Sequence, residues 1–107
     1  MQINISSKHL DMTPTIEEYI KSKAEKLMRF YDRIEQIEVK IEKTTYGFTA
    51  EIITDVEHHD DIIASNEEND LYAAIDGSID RSVRQLTDLK SRIRDDKHNT
   101  PAGGQDR

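Results

Sequence analysis

Two kinds of hydrophobic periodicity, in a fixed order along the chain, constrain its fold more than any other feature. Residues 34–42 place Ile37, Val39 and Ile41 at every second position, the pattern of a strand with one face toward water. Residues 70–94 place apolar residues three and four apart, the pattern of an amphipathic helix. Since each pattern needs a partner for its apolar side, the chain is expected to build a sheet covered by helices.

The same patterns and their boundary residues predict the other elements. Thr13-Pro14 marks a helix start, with Thr as the N-cap and Pro at the first helical position, and Asn69 or Asp70 can cap the last helix. The predicted elements are strands at 2–6, 34–42, 48–54 and 62–64 and helices at about 14–31 and 70–94. Polar turns at 44–47 and 58–61 leave short connections, which predict antiparallel hairpins between the last three strands.

This order predicts an α+β fold, β-α-β-β-β-α, with one four-stranded sheet and two helices packed on one face. The apolar stripes that would bury against the sheet are Ile16, Ile20, Ala24, Leu27 and Tyr31 on the first helix and Tyr72, Ile75, Ile79, Val83, Leu86, Leu89 and Ile93 on the second. We therefore expect one domain over residues 1–94. Residues 95–107 lack periodicity and contain Pro and two Gly, which predicts a disordered C-terminal tail.

Composition excludes several classes of protein. The absence of cysteine excludes disulfides, thiolate metal sites and a cysteine nucleophile. The first ten residues lack the basic and then apolar run of a signal peptide, and no apolar stretch approaches the roughly 20 residues that cross a bilayer. We therefore expect a soluble cytoplasmic protein without a membrane partner.

The net charge of −7 opposes nucleic-acid binding, but the distribution of the charges does not. Residues 81–94 hold five basic residues and one acidic residue, whereas residues 55–70 hold seven acidic residues and no Lys or Arg. On a helical wheel, the basic residues lie opposite the apolar stripes or beside them. They are Lys23, Lys26, Arg29 and Arg33 with the first helix and Arg81, Arg84, Lys90, Arg92 and Arg94 on the second. A solvated helix face and a nucleic-acid interface fit this pattern about equally well.

Two groups of site-like residues are better explained by ordinary structure. His58-His59-Asp60-Asp61 contains metal-ligand types, but neighbouring residues of a strand point to opposite faces, which favours a solvated turn. Asp76 and Asp80 lie four apart on one helix face, where nearby arginines can pair with them. With no phosphate loop or nucleophile motif, we expect neither an enzyme nor a bound cofactor or metal.

The aromatic residues fit the core and the sheet better than a base-stacking role. Tyr72 falls within the apolar stripe of the last helix, which predicts burial. Tyr46 and Phe48 lie near a hairpin, where we expect them to cover the sheet rather than to stack on bases.

A longer motif identifies a family that the chain resembles. The motif is Asp70-Leu-Tyr-Ala-Ala-Ile-Asp-Gly-Ser-Ile-Asp80, followed by Arg81, Arg84-Gln85-Leu86 and Lys90. It resembles the second helix of the short ribosome hibernation promoting factors, which include the ribosome-associated inhibitor called protein Y. The N-terminal half also has residues at a spacing similar to that of the family: Met1-Gln-Ile-Asn-Ile5, Thr13, Lys23, Lys26-Leu27 and Tyr31-Asp-Arg-Ile34. The resemblance covers about residues 1–94, and its second-helix motif is specific because little in helix physics demands that order.

The resemblance implies a fold and a function. The family fold is β-α-β-β-β-α, similar to double-stranded-RNA-binding domains, and its members bind the small ribosomal subunit in the channel of messenger and transfer RNA. Their binding silences and preserves ribosomes in starvation or stationary phase. The residues carried over as RNA contacts are Lys23, Lys26, Arg33, Arg81, Arg84, Lys90, Arg92 and Arg94, and helix geometry adds Arg29. Their role would be phosphate contact that recognises the shape of ribosomal RNA, not of DNA.

A second interpretation of the sequence is a protein-interaction module. Members of the same family are also described as modulators of an alternative sigma factor, and the acidic region at 55–70 would suit a basic partner. For a short-form member we expect a monomer off the ribosome, and any pairing of ribosomes would require a separate factor.

Overall fold

The computed structural model describes the backbone of residues 2–98 and the side chains of residues 2–93. The elements follow the predicted order: β1 (Gln2–Lys8), α1 (Pro14–Phe30), β2 (Ile34–Lys43), β3 (Phe48–Val56), β4 (Ile62–Glu68) and α2 (Leu71–His98). Thr13 caps α1 by accepting a hydrogen bond of 3.2 Å from the backbone N of Ile16, and Asp70 caps α2 by accepting one of 2.9 Å from that of Ala73. The residues predicted to start both helices therefore do so.

The four strands form one sheet in the order β1-β2-β3-β4. β1 and β2 are parallel, and the other two pairs are antiparallel hairpins, as predicted. α1 packs on β1 and β2, and α2 packs on β3 and β4. The core lies between this helical layer and the sheet and includes Ile20, Ile37, Ile52, Ile75 and Leu86, each at most 1% exposed. The predicted fold class is confirmed.

The two helices run in the same direction. Near their starts, Tyr19 of α1 contacts Asp76 of α2, and near their ends the amino group of Lys90 lies 3.3 Å from the carbonyl oxygen of Phe30. This follows from the topology, since α1 returns the chain between two parallel strands and α2 follows a strand that is parallel to β2. Equivalent ends of the helices therefore lie together.

β4 and α2 both extend beyond their predicted ends. β4 reaches Glu68, because backbone pairing with β3 up to Phe48 does not require apolar side chains. α2 continues to His98, so the predicted start of the disordered tail at 95 is wrong by at least four residues. Residues 95–98 contain no glycine or proline, and the first proline after the start of α2 is Pro101. Residues 99–107 lie outside the described part of the chain, where the tail stays a prediction.

Two glycines permit backbone approaches that a side chain would block. A Cβ atom on Gly47, whose φ is +153°, would lie 2.3 Å from the carbonyl oxygen of Glu68, so the β2–β3 turn requires glycine. A Cβ atom on Gly77 would lie 2.0 Å from the Nδ2 atom of Asn66. Gly77 therefore allows α2 to pack closely on β4, which offsets the low helix propensity of glycine.

Candidate nucleic-acid interface

The parallel helices place their basic C-terminal halves side by side. Residues 21–33 contain five basic and two acidic residues, and residues 81–93 contain four basic residues and one acidic residue. The contact between Lys90 and the carbonyl of Phe30 joins these two segments in space. Two stretches that are 60 residues apart in the chain thus form one positively charged end of the helical layer. Arg29 lies in the last turn of α1, where a cation also interacts favourably with the helix dipole.

Four of the predicted contact residues are held by other groups of the protein, and we call them the tethered cations: Lys23, Arg33, Arg81 and Lys90. The amino group of Lys23 lies 3.6 Å from the carboxylate of Asp76 and 5.4 Å from the ring centre of Tyr19. That of Lys90 lies 4.6 Å from the ring centre of Phe30. Cation–π contacts of this kind hold both lysines in the groove between the helices.

The two tethered arginines contact the sheet side of the molecule. Arg33 does not lie on the outward face of α1 as predicted, because the helix ends at Phe30 and Arg33 falls in the following turn. There its guanidinium forms a 3.2 Å ion pair with Glu57 at the end of β3. Arg81 donates a 2.6 Å hydrogen bond to the carbonyl oxygen of Ser65 on β4. Both side chains are exposed but already have partners.

Four other predicted contact residues are exposed and form no hydrogen bond or ion pair with residues 2–93 of the described structure, and we call them the outward cations: Lys26, Arg29, Arg84 and Arg92. Lys26 and Arg29 lie on α1, and Arg84 and Arg92 lie on α2. The side chain of Arg94 lies outside the described residues. An exposed cation without a partner gives up no existing contact when it binds an anion, so this subset is the best suited to bind phosphate groups.

Tyr19 and Asp76 fix the distance between the two helices at their acidic N-terminal end. The hydroxyl of Tyr19 donates a hydrogen bond of 2.5 Å to the carboxylate of Asp76. This hydrogen bond is the largest cause that raises the pKa of Tyr19 to about 12, followed by burial and by the negative charge of Asp76. Asp76 is therefore paired with α1 rather than with the arginines of its own helix, contrary to the expectation from helical spacing.

Aromatic side chains border the groove between the helices, which the sequence interpretation did not anticipate. Tyr72 is 37% exposed rather than buried, and its ring packs edge-on against Tyr19 with centroids 4.8 Å apart. Phe30, which the sequence analysis did not single out, is also 37% exposed. The helical wheel carried a signal for Phe30, which falls off the α1 stripe, but none for Tyr72, which falls within the α2 stripe. Tyr46 is 78% exposed and does not cover the sheet, whereas Phe48 packs partly against the core.

The acidic region at 55–70 is divided by the β4 strand. Asp60 and Asp61 lie in the β3–β4 turn, whereas Glu67 and Glu68 lie at the far end of β4, so that the two groups are about 20 Å apart. The seven carboxylates of residues 55–70 therefore do not all lie on one surface. His58 has φ +64°, and no group of three His, Cys, Asp or Glu side chains suited to a metal ion occurs among the described residues. Neither helix, over its described residues, is long and apolar enough to cross a membrane.

Comparison with known proteins finds the same small α+β fold. Residues 3–94 match the family described as sigma 54 modulation protein / S30EA ribosomal protein. Over 88% of its length the chain is 39% identical to the ribosome hibernation promoting factor of Klebsiella oxytoca and 38% identical to that of Escherichia coli K12, covering 98% of each. The chain therefore belongs to this family.

Solved structures agree with this assignment. The N-terminal domain of protein Y from Thermus thermophilus is 29% identical, with a TM-score of 0.71 over 82% of this chain and 94% of that domain. A ribosomal subunit interface protein from Coxiella burnetii has a TM-score of 0.76 at 21% identity, over 85% of this chain and 99% of that one, and supports the fold alone.

Proposed function

We propose that this protein is a ribosome hibernation factor that occupies the channel of messenger and transfer RNA on the small ribosomal subunit. Its binding would silence translation and preserve idle ribosomes in the cytoplasm of starved or stationary-phase cells. Family membership and the names of the relatives support the association with ribosomes. Binding without catalysis is proposed, since the candidate interface consists of cations and aromatic rings rather than of a nucleophile or an acid–base pair.

The observation that carries this proposal is that three outward cations lie on neighbouring parallel helices, whereas Arg92 lies beside Asp60 and Asp61. Lys26 and Arg29 on α1 and Arg84 on α2 project from the basic end of the helical layer, where a phosphate backbone can meet several of them at once. Arginine can bind a phosphate with two parallel hydrogen bonds, and lysine acts as a point charge. The proposal thus assigns RNA contact to the outward cations first and gives the tethered cations a mainly structural role.

The test is co-sedimentation with purified small ribosomal subunits over a series of salt concentrations. The variant Lys26→Gln/Arg29→Gln/Arg84→Gln removes three outward cations, and the control Lys8→Gln/Lys40→Gln/Lys43→Gln removes three cations from the sheet strands with the same change of net charge. If each outward cation binds one phosphate, the slope of log K against log salt should fall by about 2–3 in the first variant. The control should keep the wild-type slope and affinity within about threefold.

Two results would contradict the proposal. If the wild-type protein does not sediment with subunits at low salt, the ribosome is not its partner. If both triple variants lose affinity equally, binding follows net charge alone and the helical surface is not the interface. The position on the subunit has its own test, a hydroxyl-radical footprint of ribosomal RNA with the bound wild-type protein. Protection of RNA outside the channel would contradict the proposed occupancy of the channel.

A further inference from the structure

The face of the sheet opposite the helices is uncovered and carries mainly acidic side chains. Along each strand, alternate residues point away from the helical layer, and the pairing register aligns them in rows across the sheet. The charged residues on this face are Lys8, Glu38, Lys40, Glu42, Glu51, Asp55 and Glu67. Five carboxylates and two amino groups give it a net charge of −3. We call it the acidic sheet face.

Two isoleucines lie near the middle of the acidic sheet face. Ile53 of β3 pairs directly with Ile63 of β4, and Glu38 of β2 is the partner of Ile53 on its other side. Ile63 is 55% exposed, whereas alternation on these strands buries the isoleucines that face the helices. Ile53 is partly buried, so the pair presents mainly Ile63 to water, and an apolar pair that lies among carboxylates has the composition of a small binding surface.

The charge of the face selects the class of partner. RNA and anionic membranes would be repelled by a surface of net charge −3, so neither fits. A polypeptide segment with Lys or Arg on either side of an apolar residue would match both the carboxylates and the isoleucine pair. We propose that the acidic sheet face binds an extended basic polypeptide segment that places an apolar side chain on Ile53 and Ile63.

A shallow groove on the same face gives this segment a place to lie. The groove has a volume of about 510 Å³ and runs beside Lys40, Glu42, Thr49, Glu51 and Ser65. Its charged lining is balanced, with Lys8 and Lys40 against Glu42 and Glu51. The basic part of the segment is therefore expected at the end of the groove nearest Glu51, two residues from Ile53 on β3. This site lies opposite the basic surface on the helices, so both surfaces can be occupied at once.

The free edge of β4 is a poorer place for the same segment. Arg81 and Gln85 of α2 donate hydrogen bonds of 2.6 and 3.2 Å to the carbonyl oxygens of Ser65 and Ile63, which would otherwise accept from an added strand. The segment is therefore expected to lie on the face of the sheet rather than to extend it.

The experiment uses the full chain, labelled with ¹⁵N, and an end-capped octapeptide of alternating lysine and leucine as the probe. A titration in the absence of RNA should shift the amide signals of Ile53 and Ile63 and their neighbours on the sheet, and should yield a dissociation constant. An octapeptide of alternating glutamate and leucine should leave these signals in place. Shifts confined to the β3–β4 turn at Asp60 and Asp61, or no shifts with the lysine peptide, would overturn the proposal.

Matched variants separate the face from general charge. Glu38→Gln/Glu51→Gln/Asp55→Asn should weaken the binding of the lysine peptide about tenfold, with roughly a factor of two for each carboxylate. Glu18→Gln/Glu25→Gln/Asp80→Asn removes the same charge from the helical layer and should change the affinity less than twofold. Equal losses in both would overturn the proposal. Ile63→Ser tests the apolar anchor and should weaken binding about fivefold. Because ribosomes are absent, failure here is distinct from failure of the proposed function.

Discussion

The hydroxyl of Tyr19 on α1 donates a hydrogen bond of 2.5 Å to the carboxylate of Asp76 on α2, 57 residues further along the chain. Lys23, one turn after Tyr19, lies 3.6 Å from the same carboxylate. Asp76 thus binds a neutral donor and a cation from the opposite helix. This contact aligns the N-terminal halves of the two helices. The alignment in turn sets the distance between the cations on their C-terminal halves.

The titration of Tyr19 should report this contact. Its pKa is raised to about 12 by the hydrogen bond to Asp76, burial and the nearby negative charge. Because the neutral phenol is the favoured form in the folded protein, the stabilisation is fully present below the ordinary tyrosine pKa of about 10 and is lost as the pH rises from about 10 to 12.

Asp76→Asn should therefore lower the midpoint of Tyr19 toward about 10, followed by NMR of protein with ¹³C-labelled tyrosine rings. The exposed Asp80→Asn, one turn further along α2, serves as the control and should leave the midpoint in place. An unchanged midpoint in Asp76→Asn would show that the hydrogen bond does not dominate the pKa of Tyr19.

Gly77 and Asn66 should be energetically coupled. Gly77→Ala would place a methyl group 2.0 Å from Nδ2 of Asn66, which must then move and give up its hydrogen bond of 3.4 Å to the carbonyl of Ala73. In an Asn66→Ala background the same methyl group meets less resistance, and alanine favours the helix by about 1 kcal/mol. Urea unfolding of the double-mutant cycle should give a coupling of about 1–2 kcal/mol. Additive effects of the two substitutions would show that the proximity of Asn66 does not constrain residue 77.

Thr54→Val should stabilise the protein. Thr54 is 0% exposed, and its hydroxyl has no hydrogen-bond partner among the described residues. Valine has nearly the same shape without the buried polar group, so the free energy of unfolding should rise by about 1 kcal/mol. Thr49→Val on the other face of β3, where the side chain is partly exposed, is the control and should change the free energy of unfolding by less than about 0.5 kcal/mol. A loss of stability in Thr54→Val would indicate that its hydroxyl is hydrogen-bonded in solution.

Removing the side chains that cover the β4 edge should promote self-association. Arg81→Ala/Gln85→Ala would free the carbonyl oxygens of Ser65 and Ile63, which can then pair with a strand of another molecule. Light scattering after size exclusion should show a mass that rises with protein concentration. Arg84→Ala/Ser91→Ala, on the outward side of α2, should keep the mass of the wild-type protein. An unchanged mass in the first variant would mean that these two side chains do not protect the edge.

Local patterns were enough to predict the element order and most of the core. The alternation at Ile37, Val39 and Ile41 and the helical spacing from Ile75 to Leu89 are direct consequences of burial on one side, which a single sequence records. The caps at Thr13 and Asp70 were predictable for the same reason, because they act within a few residues. Tyr72 was predicted wrongly because a helical wheel cannot distinguish the centre of a buried stripe from the edge that borders a groove.

The choice among the nine candidate cations needed the tertiary structure. The chain by itself determined which residues are basic and which helices carry them, since charge and periodicity are local properties. Whether a cation has a partner depends on groups far away in the sequence, as for Arg33 with Glu57 and Lys90 with the carbonyl of Phe30. Only the parallel packing of α1 and α2 places Lys26 and Arg29 beside the stretch of α2 that carries Arg84, because the path through the sheet fixes the direction of both helices.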